Sequence, residues 1–237
     1  MRIDSRLSNQ LRKINIQSDF IDYPEGSVLF SQGNTKVLCN VTIEDSVPRW
    51  MQMQNIAGGW ITGEYSLLPR STHTRTARET NGVSGRTHEI RRLIGRSLRS
   101  AVNLSLLGAR TIIIDCDVLQ ADGGTRTASI TGGYIALVIA LNRLIAANKI
   151  PSAVLQNQVA TVSVGVVDGI PLLDLCYAED SQAEVDFNIV MNARGEYIEM
   201  QGTAEKLSFS RPKLNELLDL AGQGIDALFE FQKLALK

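Results

Sequence analysis

Four short stretches of this 237-residue chain carry side chains that could handle phosphate. The first, Asp122-Gly123-Gly124-Thr125-Arg126-Thr127, joins an apolar strand-like run to a long apolar helix-like run. Two glycines let a backbone approach a ligand closely, and the amides that follow them can cradle phosphate oxygens. Thr125 adds a hydroxyl and Arg126 a fork of donors, although the Gly-x-x-x-x-Gly-Lys-Ser/Thr spacing of a P-loop is absent. The second, Gly85-Arg86-Thr87, opens the first segment of helical periodicity, where free amides and the helix dipole favour an anion. Arg86 stands at that opening, whereas Arg92, Arg96 and Arg99 recur at helical spacing and read first as a solvated or subunit-facing stripe. The third holds Arg70, Arg75 and Arg78 in a polar stretch; guanidinium forks suit the phosphates of a nucleic acid, and by itself such a run is a solvated loop. The fourth is acidic: Asp180, Glu184 and Asp186 bracket a short connection between two strand-like runs. Carboxylates at that density suit Mg²⁺, which takes one or two of them together with water and substrate oxygens. An aspartate between Val185 and Phe187 on a strand is otherwise an ordinary solvent-face residue.

Nucleophilic catalysis has no candidates. His73 and His88 are the only histidines, and neither has a Cys, Asp or Ser at a triad or metal-ligand spacing. Phosphate-driven chemistry would not need a covalent step.

Composition narrows the classes further. With 44% apolar residues and a net charge of −1, the chain is neither a disordered tail nor a wholly basic nucleic-acid coat. The neutral total hides a split. Residues 70–99 carry eight Arg against two Glu, and residues 168–237 carry 13 acidic against six basic groups. Cys39, Cys116 and Cys176 lie scattered in apolar runs, an odd count that argues for buried thiols in a reducing cytoplasm rather than a disulfide frame or zinc site. The start, Met1 to Arg6, lacks the apolar stretch of a secretory signal, and the apolar run Tyr134–Ala147 is broken by Asn142 and Arg143, so no membrane role is expected.

The elements that must position these groups read as α+β. A polar start with Leu7, Leu11, Ile14 and Ile16 as anchors leads to a hairpin, Ser27–Phe30 and Thr35–Val41 about Ser31–Asn34. Residues 48–84 show no clear period and are expected to form a long loop. Helical spacing from Thr87 to Leu107 ends at Gly108; Arg110–Leu119 follows as a strand, then a helix to about Asn148 before Pro151. Strands are expected at Val159–Val167, Leu172–Ala178, Val185–Met191 and Glu196–Met200, and a last helix behind the Ser210 cap and Pro212. Strands followed by helices, twice, suggest an internal duplication without proving one, and the lack of a Pro/Ser-rich linker favours one unit over residues 1–237.

Read together, the segments resemble the bacterial ribonuclease PH family of phosphorolytic exoribonucleases. The resemblance is carried by Pro24–Leu29, Gly59-Trp60, Glu64-Tyr65, Leu68-Pro69-Arg70, Gly85-Arg86-Thr87, Arg91–Arg99, Asp115–Arg126, Leu173–Tyr177 with Asp180 and Asp186, and Gly202–Glu205. It spans essentially the whole chain, departing at Gly63, where many relatives have Ala, and at Ala57–Trp60, a variant of a more Gly-rich stretch. It implies a ribosomal-protein-S5-domain-2-like fold of mixed sheets packed with helices. The implied activity is phosphate-dependent 3′→5′ trimming of tRNA precursors and other RNA 3′ ends, releasing nucleoside diphosphates and extending to rRNA processing. Mg²⁺, inorganic phosphate as co-substrate and a hexameric ring of dimers are implied too. Carried over, Arg86, Gly124, Thr125 and Arg126 would bind phosphate, and Asp180 and Asp186 would hold the metal or assist proton transfer beside Arg126. Arg70, Arg75 and Arg78 would grip tRNA. The rivals are a non-catalytic RNA-binding subunit of an exosome-like ring, a hydrolytic nuclease releasing monophosphates, and a protein whose arginines face another subunit.

Overall fold

The computed structural model describes residues 2–206 and 208–237. The described residues form nine strands in two sheets. The first sheet takes β1 (Ile14–Ser18), β2 (Gly26–Gln32), β3 (Thr35–Glu44), β4 (Trp60–Leu67) and β5 (Thr111–Gln120) in the order β1-β2-β3-β5-β4. The second is antiparallel, with β6 (Val159–Val167), β7 (Ile170–Leu173), β8 (Val185–Asn192) and β9 (Tyr197–Ala204) in the order β7-β6-β8-β9. Six α-helices and one 3-10 turn (Ser152–Val154) complete the described residues: α1 (Arg49–Met53), α2 (Gly85–Arg99), α3 (Leu104–Leu107), α4 (Thr125–Ala146), α5 (Tyr177–Asp180) and α6 (Arg211–Ala235). The expected α+β class with mixed sheets is what forms.

Helix α4 is the centre. Its residues from Thr127 to Leu141 are almost all buried, and it packs on β2 and β3 of one sheet and on β6 of the other. An 18-residue window of this 22-residue helix has a mean hydropathy of 1.5, enough in length and composition to cross a bilayer, but 72% of that window is buried within the protein. It is a core helix. The contact with β2 is unusually close, since a β-carbon on Gly26 would stand inside the van der Waals radius of the Ala136 carbonyl oxygen. Gly26→Ala should therefore push helix from sheet and cost about 2–3 kcal/mol, read as a lower midpoint in thermal unfolding.

The structure departs from the sequence expectations in four places. Residues 48–84 are not one loop. They contain α1 and β4, which pairs in parallel with β5, and the longest stretch without regular structure is 68–84. In β4 the buried positions are Ile61, Gly63 and Tyr65, so the apolar alternation is broken at Gly63, where the side chain of Ile94 packs directly on the backbone. The helix expected to run to Leu107 is two. Between them the Asn103 amide donates to the Val154 carbonyl at 2.8 Å, and the Asn103 side chain caps α3. Leu172–Ala178 is strand only as far as Leu173, because Asp174 turns the chain with φ of 55° before α5. Leu7 anchors nothing and is 70% exposed, whereas Arg2 and Arg12, on the same polar segment, are buried. The three cysteines are buried and free, with Cys39 and Cys116 directly opposite each other on β3 and β5.

Candidate active site

Two helix N-termini meet at one cavity. Ser84 caps α2, its Oγ accepting from the Thr87 amide at 3.2 Å, which leaves the first turn of α2 and Arg86 at the cavity edge. Gly123 and Gly124 both adopt positive φ, 75° and 64°, and this turn delivers Thr125 as the first residue of α4. Thr127 donates from Oγ1 back to the Gly124 carbonyl at 2.8 Å, tightening the entry. The positive ends of both helix dipoles and their unpaired first-turn amides thus serve the same space. That space has a volume of about 640 Å³ and is lined by Arg86, Gly124, Thr125, Arg126, Asp180 and Asp186, the six residues expected to handle phosphate and metal.

Arg126 connects three elements. Its Nη1 donates to Gln201 on β9 at 3.1 Å and to Glu89 on α2 at 3.3 Å. Asp180 ends α5, and Asp186 lies on β8 on the same strand face as Asn188, which also lines the cavity. Burial raises the carboxyl of Asp180 above its ordinary value, with Arg126 and Arg86 pulling it back. Burial also pushes Asp186 up to about 6; the neighbouring charge of Asp180 adds to this and Arg126 opposes it. Asp186 Oδ1 is buried without a hydrogen-bond partner. Two buried carboxyls that both hold their protons more tightly than usual, one of them with an orphaned oxygen, form a donor set that a hard divalent cation would satisfy.

Arg70, Arg75 and Arg78 are exposed on the irregular stretch after β4, and they are not among the cavity-lining residues. Their neighbours Thr72, His73, Thr74 and Thr76 are, so the arginines stand around the mouth rather than in it.

Several site residues were not singled out from the sequence. Tyr65, on β4, places its hydroxyl 2.8 Å from Thr125 Oγ1 and so orients the first residue of α4. Ser163, on β6, lines the cavity and accepts from the Leu175 amide at 3.1 Å. Tyr177, half exposed at 57%, stands at the cavity wall. Tyr65 falls in the Glu64-Tyr65 pair that carried part of the resemblance, but nothing local in the sequence marks it as a neighbour of Thr125, 60 residues away.

Residues 10–141 match the 3′ exoribonuclease family, domain 1, and residues 157–224 match domain 2 of the same family. The chain belongs to the 3′ exoribonuclease family. Within it, the chain is 53% identical over 240 residues to "Ribonuclease PH" of Bacillus mycoides (strain KBAB4), covering 100% of this chain and 97% of that one. The protein of the same name from Bacillus cereus (strain AH187) is 52% identical with the same coverage. Among solved structures, rice (Oryza sativa) Rrp46 superposes with a TM-score of 0.80 at 20% identity, covering 99% of both chains. A chain of an archaeal exosome core gives 0.78 at 23% identity, covering 98% of this chain and 91% of that one. At those identities the likeness concerns the fold.

Proposed function

We propose that the cavity at the starts of α2 and α4 is the reaction centre of a phosphate-dependent 3′→5′ exoribonuclease that trims tRNA precursors. The observation that carries this reading is the convergence of the Gly-Gly-Thr-Arg turn, Arg86 and the Asp180/Asp186 pair on one cavity. Full-length identity of about half to proteins named ribonuclease PH supports it.

An oxygen of inorganic phosphate attacks the last phosphodiester of the RNA. A new P–O bond forms, the bond to the penultimate 3′-oxygen breaks, and the proton of the attacking hydrogen phosphate ends on that oxygen, so the shortened RNA leaves with a 3′-hydroxyl while a nucleoside diphosphate is released. Two anions must meet, so the site has to supply positive charge. Arg86, Arg126 and the amides of Gly124 and Thr125 bind and orient the attacking phosphate, trading translational freedom for alignment. Glu89 and Gln201 both engage Nη1 of Arg126, which leaves its Nε and Nη2 for the phosphate. Asp180 and Asp186 would hold Mg²⁺, which would supply charge stabilisation at the scissile phosphate or leaving oxygen. Thr125, held by Tyr65, fixes the first turn of α4 against the phosphate.

Arg70, Arg75 and Arg78 bind the body of the tRNA outside the cavity. Changing all three to Ala should weaken tRNA binding and flatten its dependence on salt, by up to about one unit of slope per lost phosphate contact. An unchanged slope would return them to solvated loop residues. The whole chain works as one unit in a homo-oligomeric ring, a hexamer built from dimers, in the cytoplasm, where its buried thiols stay reduced. Incubating a tRNA precursor with and without phosphate tests the reading. Shortening that needs phosphate supports it; shortening that proceeds equally without phosphate contradicts it.

A further inference from the structure

Behind the cavity wall lies a buried ionic network that the reaction itself does not use. Arg12 is 5% exposed and forks onto Asp174, with Nη2 to Oδ1 at 2.6 Å and Nε to Oδ2 at 3.1 Å. Its Nη1 also donates to the Asp122 carbonyl at 2.5 Å, at the foot of the Gly123–Gly124 turn. Arg2, 9% exposed, forks onto Glu179 with both bonds at 2.7 Å and also donates to the carbonyls of Leu173 and Asp174. Glu179 is the residue before Asp180 in α5, and its own carboxylate accepts from the Cys176 amide at 3.1 Å. Arg6 closes the set by donating to the Asp174 carbonyl at 3.1 Å.

The two turns also touch. A β-carbon on Gly123 would lie 2.6 Å from the Leu175 carbonyl oxygen and 2.8 Å from the Tyr177 amide. The turn assigned to phosphate therefore rests on the backbone leading into α5, and any slack in one reaches the other. Buried ion pairs of this kind are rarely kept for stability, because desolvation offsets much of their attraction. They do fix geometry, since each guanidinium presents a planar array of donors to several acceptors at once.

We infer that Arg12 and Arg2 are positioning residues for the two halves of the reaction centre: Arg12 sets the phosphate turn and Arg2 sets the short helix that carries Asp180. This rests on the assignment of phosphate to the Gly-Gly turn and of the cation to Asp180/Asp186. The consequence is a separable pair of defects. Loss of Arg12 loosens Asp122–Gly124 and weakens phosphate capture. Loss of Arg2 frees Glu179, lets α5 drift and weakens the cation site.

The test uses the full chain with Arg12→Met and Arg2→Met. Phosphate KM and kcat are measured at saturating RNA, and Mn²⁺ binding is followed without RNA by electron paramagnetic resonance. Arg12→Met should raise the phosphate KM about tenfold while Mn²⁺ affinity stays within about twofold of the parent; Arg2→Met should do the reverse. If either Met variant fails to fold by near-ultraviolet circular dichroism, the corresponding Lys variant, which keeps the charge and loses the fork, takes its place. The same split of about threefold is then expected. A fall in thermal stability with KM and Mn²⁺ affinity both unmoved, or equal shifts in both parameters for both variants, overturns the inference. Arg126→Ala and Asp180→Asn run alongside. If those two lose activity while the Arg12 and Arg2 variants match the parent, the positioning role alone fails. Parent-like rates in Arg126→Ala and Asp180→Asn remove the underlying site assignment.

Discussion

Arg126→Ala is expected to lower phosphate-dependent release of nucleoside diphosphates by about a hundredfold or more, the range seen when one preorganised charge partner is removed from a dry site. Arg126, on α4, also ties α2 to β9 through Glu89 and Gln201. Its removal leaves Arg86 and the α4 amides in place, so phosphate should still enter, with a raised KM and misaligned attack. Steady-state rates across phosphate concentration at saturating RNA check this. A variant within about twofold of the parent would mean that Arg126 serves only Glu89 and Gln201.

Asp186→Asn should cost activity on a similar scale and, unusually for an active-site change, make the chelator-treated protein more stable at neutral pH. The carboxyl titrates at about 6 in the fold against an ordinary value of 3.8, because burial and the Asp180 charge disfavour the anion. The folded state thus holds the proton more tightly than the unfolded one. Without a cation, the stability associated with this group is fully present below about pH 4 and is lost as pH rises through 6. Asparagine does not titrate, so the variant should show a flatter profile over pH 4–7 and a gain of up to about 2 kcal/mol at pH 7, after allowance for partial solvent access. Denaturant unfolding in chelator at several pH values measures it, and parallel profiles for parent and variant would contradict the strain assigned to this carboxyl. Such a cost at the reaction centre is the familiar trade of stability for function.

How much of this was legible beforehand differs by feature. Elements with strong periodicity and clean punctuation read well: Val159–Val167 is β6 to the residue, and Ser210 caps α6, accepting from the Lys213 amide, with Pro212 in its first turn. β4 did not, because its second inward position is a glycine whose partner, Ile94, is supplied from 31 residues away. The strand expected through Ala178 failed at Asp174. Its left-handed conformation is held by Arg12, whose proximity depends on the tertiary fold. The site shows the same division. Gly124, Thr125 and Arg126 sit within a local turn and could be read from types and spacing, as could Arg86 at a helix start. The bolt behind them could not. Arg2, Arg6 and Arg12 lie in a polar segment with no helical or strand period, and the acidic residues they meet, Glu179 and Asp174, lie more than 160 residues further along the chain. The neutral total charge was equally uninformative, since the arginine-rich block at residues 70–99 and an acidic C-terminal third cancel within it.

The central claim, that inorganic phosphate is the attacking group held at the start of α4, has a direct readout in the fate of labelled phosphate. A tRNA precursor is incubated with the protein and ³²P-labelled inorganic phosphate, and the released nucleotides are separated. The account predicts nucleoside diphosphates with the label confined to the β-phosphorus, formed by the parent and depleted about a hundredfold in Arg126→Ala. Unlabelled nucleoside monophosphates would contradict it, because water rather than phosphate would then have attacked.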